Sequence, residues 1–442
     1  MKTLELLRSG KLAGSTRLDL SCGLSQFPDE IYDLADTLEI LNLSGNALSA
    51  LPDDLPRLKK LRVIFCSDNQ FTDVPDVLGQ CRNLEMVGFK ANQIQRMSGA
   101  SLTDGLRWLI LTDNQLAQLP AGLGQCTRLQ KLMLAGNQLQ HLPEEMVACR
   151  NLELLRISAN RFVALPDWLL SLPRLAWLAL AGNPFSDVRE LAALAKQDIA
   201  PVNWHELDVQ HKLGEGASGI IHKAVWQDSP EGITQIAVKL FKGLVTSDGL
   251  PASEKAVCLA AGTHPNLIGA TGKLSGHPDG TKGLVMPLVD ARFKNLAGPP
   301  SLASCTRDIY PPETRFTLEM AVSMALKIAM AAEHLHALGI MHGDLYAHNM
   351  LWDGRGECLL GDFGAASFIS DVHQAHALER IEVRAFGCFL EELLDRCHAS
   401  ANAQAALDVL WEVQRRCHQT DVAARPLFSE IRQRLAALSI LS

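Results

Sequence analysis

The chain has only three tyrosines in 442 residues, and aromatic side chains make up 5% of it. Its eleven cysteines are odd in number, scattered, and form no Cys-x-x-Cys pair. That argues against a disulfide framework or a zinc site and for a reducing compartment. Basic residues are not in excess. The net charge is −8, so neither nucleic acid nor an anionic membrane surface is expected as the main partner. The start, "MKTLELLRSGKLAG", has charges at 2, 5, 8 and 11 and no apolar h-region of a signal peptide. The most apolar later stretch, "MAVSMALKIAMAAEHLHALGI" from Met320, is interrupted by Lys327 and Glu333, so no membrane span is expected. These absences favour a cytoplasmic chain. The remainder is ordinary globular composition, 47% hydrophobic and 20% charged, long enough for two or three domains.

What is present first is repetition. Seven segments align: "LEILNLSGN" from Leu38, "LRVIFCSDN" from Leu61, "LEMVGFKAN" from Leu84, "LRWLILTDN" from Leu106, "LQKLMLAGN" from Leu129, "LELLRISAN" from Leu152 and "LAWLALAGN" from Leu175. Their asparagines, Asn46, Asn69, Asn92, Asn114, Asn137, Asn160 and Asn183, recur every 23 residues with one step of 22. An earlier copy, "TRLDLSCG", is in phase. This is the LxxLxLxxN pattern of leucine-rich repeats. Each LxLxxN predicts a short strand with inward leucines, and each Asn amide can satisfy backbone groups of a neighbouring coil. Single coils cannot bury their apolar face, so they stack into a solenoid. The "LP" pairs at Leu51, Leu119, Leu142 and Leu165 begin the convex side. Cys81, Cys126 and Cys149 share a repeat column with Leu58 and Leu172 and read as small core residues.

The free strand positions form two columns: Ile40, Val63, Met86, Trp108, Lys131, Leu154, Trp177, and Asn42, Phe65, Gly88, Ile110, Met133, Arg156, Ala179. They are expected to face outward on the concave side. Their apolar character predicts a protein-docking surface, for another protein or for the second half of this chain.

After Asn183 the period stops. "DVRELAALAKQDIAPVNWHELDV" reads as a capping helix and a short linker. "KLGEGASGIIHKAVW" from Lys212 follows, with Gly214, Gly216 and Gly219 between two strand-like runs. A dinucleotide fingerprint would need a helix straight after these glycines. "IIHKAVW" alternates as a strand, so a hairpin over phosphates fits better. "QIAVKLF" places Lys239 on the next strand, and Glu254 in "PASEKAVCLAAGTHPNLI" is its expected ion-pair partner. "GLVMPLVD", an apolar-periodic helix, "HGDLYAHNML" (342–351), "LLGDFGAAS" and "DVAARPLFSEIRQRL" complete an ordered set over residues 212–435.

In that order the motifs resemble a eukaryotic-type protein kinase domain fused behind leucine-rich repeats, similar to the soluble bacterial leucine-rich-repeat kinases. The resemblance implies two domains: an α/β leucine-rich-repeat solenoid (horseshoe) over 1–200 with its caps, then an α+β bilobal kinase fold over 205–442, with an N-lobe at 205–289 and a C-lobe at 290–442. It implies ATP and magnesium as cofactors and a protein hydroxyl, most simply of Ser or Thr, as acceptor. Residue by residue, Asp344 would be the catalytic base, Asn349 and Asp362 would hold magnesium, and Lys239 with Glu254 would set the phosphates. Leu213, Gly214, Glu215, Gly216, Ala217, Ser218 and Gly219 would form the phosphate-covering loop. Leu213, Ile221, Ala237 and Leu351 would sandwich adenine, with Met286 as gatekeeper and the Val289 N–H as donor. His342 and Phe363 would stack as a structural spine.

The departures from the family pattern are specific. Gly343 replaces the Arg that reads an activation-loop phosphate, and Tyr346 replaces the Lys that neutralises the γ-phosphate. His348 is the candidate replacement cation. Seventeen residues separate Gly364 from Glu382, which resembles the anchoring Asp of the next helix. No Ala-Pro-Glu closes that segment, and "ALE" at 377–379 is its nearest relic. The stretch "NLAGPPSLASCTRDIYPPETR" is extended instead, and neither Arg307 nor Asp308 in it is assigned a role. The expected partners are a protein substrate and a protein ligand on the concave face, with no nucleic acid and no membrane. Two other classes fit these departures: a scaffold with a catalytically weak or dead kinase fold, and a phosphotransferase acting on a small molecule.

Overall fold

The computed structural model describes residues 2–195, 201–216, 218–230, 232–243, 245–246, 248–398 and 404–439. The chain divides into two compact units, Met1–Arg174 and Leu175–Ser442.

The first unit opens with helix α1 (Lys2–Arg8) and stacks seven three-residue strands: β1 (Arg17–Asp19), β2 (Ile40–Asn42), β3 (Val63–Phe65), β4 (Met86–Gly88), β5 (Trp108–Ile110), β6 (Lys131–Met133) and β7 (Leu154–Arg156). They pair in parallel, one repeat to the next without slippage: Leu18, Leu41, Ile64, Val87, Leu109, Leu132 and Leu155 lie side by side. All seven are buried. The two-residue period of a strand turns that central side chain inward in every copy.

The asparagines hold the turns. In the fifth copy, Asn114 Nδ2 donates to the carbonyls of Phe89 (2.9 Å) and Leu111 (3.1 Å), while Oδ1 accepts from the Ile94 N–H at 3.0 Å. Asn69, Asn92, Asn137 and Asn160 repeat this bonding to the preceding coil. Prolines 75, 120, 143 and 166 precede short 3-10 turns on the other side. Cys81, Cys126 and Cys149 point at carbonyls in the core. Burial pushes these thiols up to about 11, 11 and 12, which suits packing residues and not reactive ones.

The concave columns depart from the expected open stripe. Val63, Met86, Lys131, Leu154 and Arg156 are buried; Ile40, Asn42, Phe65, Trp108, Ile110 and Met133 are half-buried. The side chains fold across one another. Trp108 meets Phe65 edge-on at 6.4 Å, and the Lys131 ammonium lies 4.6 Å from the Trp108 ring centroid. Gly88 makes room for this layer, since a Cβ there would come within 2.6 Å of Phe65 Cδ1.

The second unit begins with the eighth copy of the repeat, β8 (Trp177–Ala179), and helix α2 (Pro184–Ala195). A six-stranded sheet follows, in the order β10 (Leu207–Glu215), β11 (Gly219–Trp226), β12 (Thr234–Phe241), β14 (Gly283–Pro287), β13 (Gly272–Ser275), β9 (Pro201–Asn203). Residues 201–203 were expected as linker, yet they add an edge strand parallel to β13. The reason is burial: Val202 joins Ala224, Ile236, Val238, Leu274 and Val285 in a cluster that covers one face of the sheet. Helix α3 (Pro251–Ala260) crosses between β12 and β13. The rest is mainly helical, with three small two- and three-stranded sheets: α4 (Leu318–Ala337), α5 (Ala375–Leu394), α6 (Gln404–Cys417) and α7 (Phe428–Ser439). Thr317 caps α4 by accepting from the Met320 N–H at 3.3 Å. The α4 stripe Ala321, Met324, Ala325, Ile328, Ala331 and Leu335 is buried, as helical periodicity requires. No helix among the described residues is long and apolar enough to cross a membrane.

Asn114→Ala is expected to cost about 1–3 kcal/mol, because buried backbone groups lose their partners. Asn151→Ala, whose amide makes one exposed bond to the Thr127 carbonyl, should cost less than half of that. Urea denaturation of both variants checks the ordering.

Candidate active site

Lys239 and Ile221 are cross-strand neighbours, as are Ala237 and Met286. The two-residue period puts all four on the sheet face opposite the Val202 cluster. Lys239 is buried and forms an ion pair with Glu254 of α3; its Nζ is also 3.7 Å from Asp362 Oδ1. Burial pushes the ammonium down, but the charges of Asp362 and Glu254 outweigh it and hold the group above its ordinary value. Asp362 sits at φ 56°, a left-handed conformation rare for residues other than glycine. Its carboxylate accepts from the Gly364 N–H at 3.1 Å and remains about half exposed.

The glycine-rich segment is a hairpin, with β10 and β11 antiparallel and a strand, not a helix, after Gly219. The Gly216 N–H donates to the Gly219 carbonyl at 2.9 Å. Glu215 is held by Lys212 at 2.8 Å and by Lys242. Ser218 is buried, and Gly214 pairs across to Ile221. Leu213 is exposed, Val289 is half-buried just beyond β14, and Ala217 lies outside the described residues. Leu351 belongs to a separate small sheet, paired with Leu359 and Asn295.

The loop at 342–351 is fixed from below. Glu382 of α5, wholly buried, accepts from the N–H groups of Gly343 (2.7 Å) and His342 (3.2 Å) and pairs with His336 Nε2 at 2.7 Å. Burial pushes this carboxyl up, yet the His336 bond and the other donors hold it below its ordinary value. His342 lies against Phe363 with the rings tilted by 50° (centroids 5.4 Å), not stacked as expected, and shares a hydrogen bond with the Gly361 carbonyl at 2.9 Å. Asn349 Nδ2 donates to Asp344 Oδ2 at 2.8 Å and to the Asp344 carbonyl at 2.9 Å. The "ALE" stretch lies near the start of α5, where Glu379 accepts from the Phe428 N–H at 2.8 Å.

Sequence reasoning left Asp308 without a role, and the structure gives it one. Its carboxylate accepts from the His348 N–H at 2.8 Å and lies 2.7 Å from His348 Nδ1. Burial pushes the imidazole down, but the bond to Asp308 and the charges of Asp308, Asp344 and Asp362 leave it above its ordinary value. His348 therefore shares its charge with a buried carboxylate, which is a different arrangement from an isolated cation. Behind Asp308 stands Glu392, which accepts from Tyr310 Oη at 3.1 Å and faces the Asp308 N–H at 3.4 Å. The extended insert before α4 thus supplies the floor of the loop. Arg307 donates to Thr306 and lies 5.4 Å from the Trp177 ring centroid.

The two departures in the loop also have causes. Gly343 has φ 75°, and a Cβ there would come within 2.6 Å of the Leu178 carbonyl oxygen and 2.7 Å of that of Ala365. An arginine has no room. Tyr346 is buried with its ring stacked on Trp177 at 4.1 Å and 6°. The signal for this pairing was a Trp in the strand of the last repeat together with a Tyr at the family's Lys position; neither is informative alone.

Comparison with known proteins finds two families along the chain. Residues 207–386 match the family described as protein tyrosine and serine/threonine kinase. Residues 37–58, 104–162 and 127–185 match leucine-rich repeats. A chain named as a serine/threonine-protein kinase in Acanthamoeba polyphaga mimivirus is 29% identical over 167 residues, 37% of this chain and 27% of that one. One so named in Dictyostelium discoideum is 28% identical over 167 residues, 38% of this chain and 9% of that one. Cyclin-dependent kinase 11.1 of Caenorhabditis elegans is 25% identical over 172 residues, 38% of this chain and 22% of that one. The matched region thus spans at most 27% of these relatives' own lengths. The chain carries leucine-rich repeats followed by a protein kinase domain.

The Glu392 pocket has a pH consequence. Burial, then the charge of Asp308, push this carboxyl from 4.5 up to about 8. Between those values the folded chain keeps a proton that the unfolded chain has lost, so stability falls as pH rises through the window. Glu392→Gln should flatten that slope and raise the melting temperature at pH 8 relative to the parent, while leaving it nearly unchanged at pH 5. Thermal unfolding at the two pH values checks this.

Proposed function

We propose that this chain is an ATP-dependent protein kinase, of the serine/threonine type, that transfers the γ-phosphoryl group to a protein hydroxyl. The observation that carries the reading is the convergence of Lys239, Glu254 and Asp362 from β12, α3 and the segment before α5, beside the bonded pair Asp344 and Asn349. The domain order supports an affiliation with the soluble bacterial kinases of this architecture. The functional modules are the repeats with their caps over 1–200 and the kinase over 205–442.

Each side chain has a task in this reading. Asp344 accepts the proton of the acceptor hydroxyl as its oxygen bonds to phosphorus and the bond to the β-phosphate oxygen breaks. Asn349, donating to Asp344 Oδ2, fixes the rotamer of that carboxylate. Lys239, kept in place by Glu254, binds phosphate oxygens. Ile221, Ala237, Met286 and Leu351, with Leu213, would flank adenine, and the Val289 N–H would donate to it. The backbone of the 214–219 hairpin would cover the phosphates. His348, oriented by Asp308, presents Nε2 as the donor left beside Asp344. Asp362 and Asn349 suit magnesium, because both offer hard oxygen donors. Among the described residues no cluster of three or more His, Cys, Asp or Glu could hold a metal by itself; this fits an ion that completes its shell with water and phosphate oxygens. When bound, magnesium would neutralise charge on the phosphates.

The purified chain should autophosphorylate or label generic protein substrates. Asp344→Asn should lower turnover roughly 10²- to 10⁴-fold, the usual worth of a positioned acid–base group. Asp362→Asn should abolish the magnesium dependence of ATP binding. ATP stabilisation that is the same with and without magnesium in both parent and variant would refute the assignment. Magnesium-dependent binding without turnover would instead identify a non-catalytic scaffold.

The repeats are proposed to bind a protein ligand through the half-buried concave residues Ile40, Phe65, Trp108, Ile110 and Met133. Trp108→Ala should weaken capture of that ligand by about 2 kcal/mol if this side chain is a central anchor, with calorimetry as the readout. Equal affinity in the variant would remove this face from recognition.

A further inference from the structure

The second unit contains a contact set that the kinase reading does not use. The eighth repeat coil and α2 touch the three elements that must align for phosphoryl transfer. The first is the catalytic loop. Trp177, 1% exposed, stacks on Tyr346, and its Nε1–H donates to the Leu345 carbonyl at 3.1 Å. Leu178 lines the space beside Gly343. The second is the segment after Asp362: the Leu180 N–H donates to Ser367 Oγ at 3.3 Å. The third is α3. Glu190 of α2 accepts from Ser253 Oγ at 2.6 Å, one residue before Glu254. The other oxygen of Glu190 accepts from the Gly182 N–H of the coil (2.9 Å) and from Ser186 Oγ in the first turn of α2 (2.8 Å). One buried carboxylate therefore ties the coil to α3.

These contacts occupy the place of what the sequence lacks. The phosphate-reading arginine is absent at 343, and the intervening segment is short. A loop without that electrostatic latch needs another device to keep Asp344 in position. Resting on the proposed kinase activity, we propose that the eighth repeat coil with α2 is a cis-acting clamp that positions the catalytic loop and α3 for phosphoryl transfer. Trp177 is its positioning residue toward the loop and Glu190 toward α3.

The two arms predict different kinetic signatures in the full chain. Trp177 touches neither Lys239 nor Glu254 in this set, so Trp177→Leu should lower kcat roughly tenfold, the scale of one aromatic stack, with KM for ATP within about twofold. Trp177→Phe keeps the ring and should recover most of kcat. Ser253→Ala frees α3 and should instead raise KM for ATP several-fold. Amide hydrogen exchange, which needs no activity, should quicken at 343–346 in Trp177→Leu and along α3 in Ser253→Ala. Unchanged kcat in Trp177→Leu, or a raised kcat as expected of an inhibitory coil, overturns the proposal. So does unchanged exchange at both places. A parent chain that neither binds ATP with magnesium nor turns over, yet shows the expected exchange, would defeat the kinase reading and leave the clamp as a structural device.

Discussion

A carboxylate removed from water must find donors or give up its charge, and this one constraint organises the second unit. Glu190, Glu254, Asp308, Glu382 and Glu392 are all buried. Each draws its partners from remote segments: Glu382 from 336 and 342–343, Asp308 from His348, Glu254 from β12, Glu190 from α3 and from its own coil. Glu392 is the exception that proves the cost, since with Asp308 beside it burial moves its titration up to about 8. A shift of any of these segments would strand a buried charge. The geometry around Asp344 is therefore over-determined by polar satisfaction, with apolar packing filling in behind it.

Within that frame, the unusual loop "HGDLYAHNML" is consistent with its neighbours. Gly343 adopts a left-handed φ and lies against the Leu178 and Ala365 carbonyls, so a side chain would collide with backbone that cannot move aside. Tyr346 offers a flat face to Trp177. A lysine there would exchange a stacked ring for a charge facing an indole already overlain by Arg307. Both replacements meet the last repeat coil, Gly343 at Leu178 and Tyr346 at Trp177.

The parts of this fold that were legible in the sequence are those set by local periodicity and by ordered motifs. Leu41 to Leu155 line up because each copy repeats the same LxxLxLxxN order around its strand, even across the one 22-residue step. Lys239 and Glu254 were found because a strand–helix pair with a fixed spacing carries them. The residues that escaped were of two kinds. Asp308 sits in a segment without periodicity, and its partner His348 is forty residues away; nothing local marks such a pair. The concave columns were read as exposed because alternation gives the direction of a side chain but not what it meets. Gly88, Phe65 and Trp108 fill one another's space, a packing fact that no single repeat contains. Residues 201–203 failed for the same reason: an edge strand three residues long is decided by the sheet it joins.

On the proposed reading, the change of latch alters what can control the loop. A phosphate held by arginine is an electrostatic contact that an enzyme can add or remove and that salt screens. A stacked indole and a tyrosine ring, closed by a backbone hydrogen bond, have no charge to add or remove and little for salt to screen. Control of Asp344 would then have to act on packing, by shifting the coil that carries Trp177. That coil is continuous in sequence with the repeats, and residues 127–185 match the repeat family as one stretch. The same leucine-rich pattern that ends the array therefore begins the support of the catalytic loop, so the boundary between the two sequence motifs is not the boundary between the two mechanical roles.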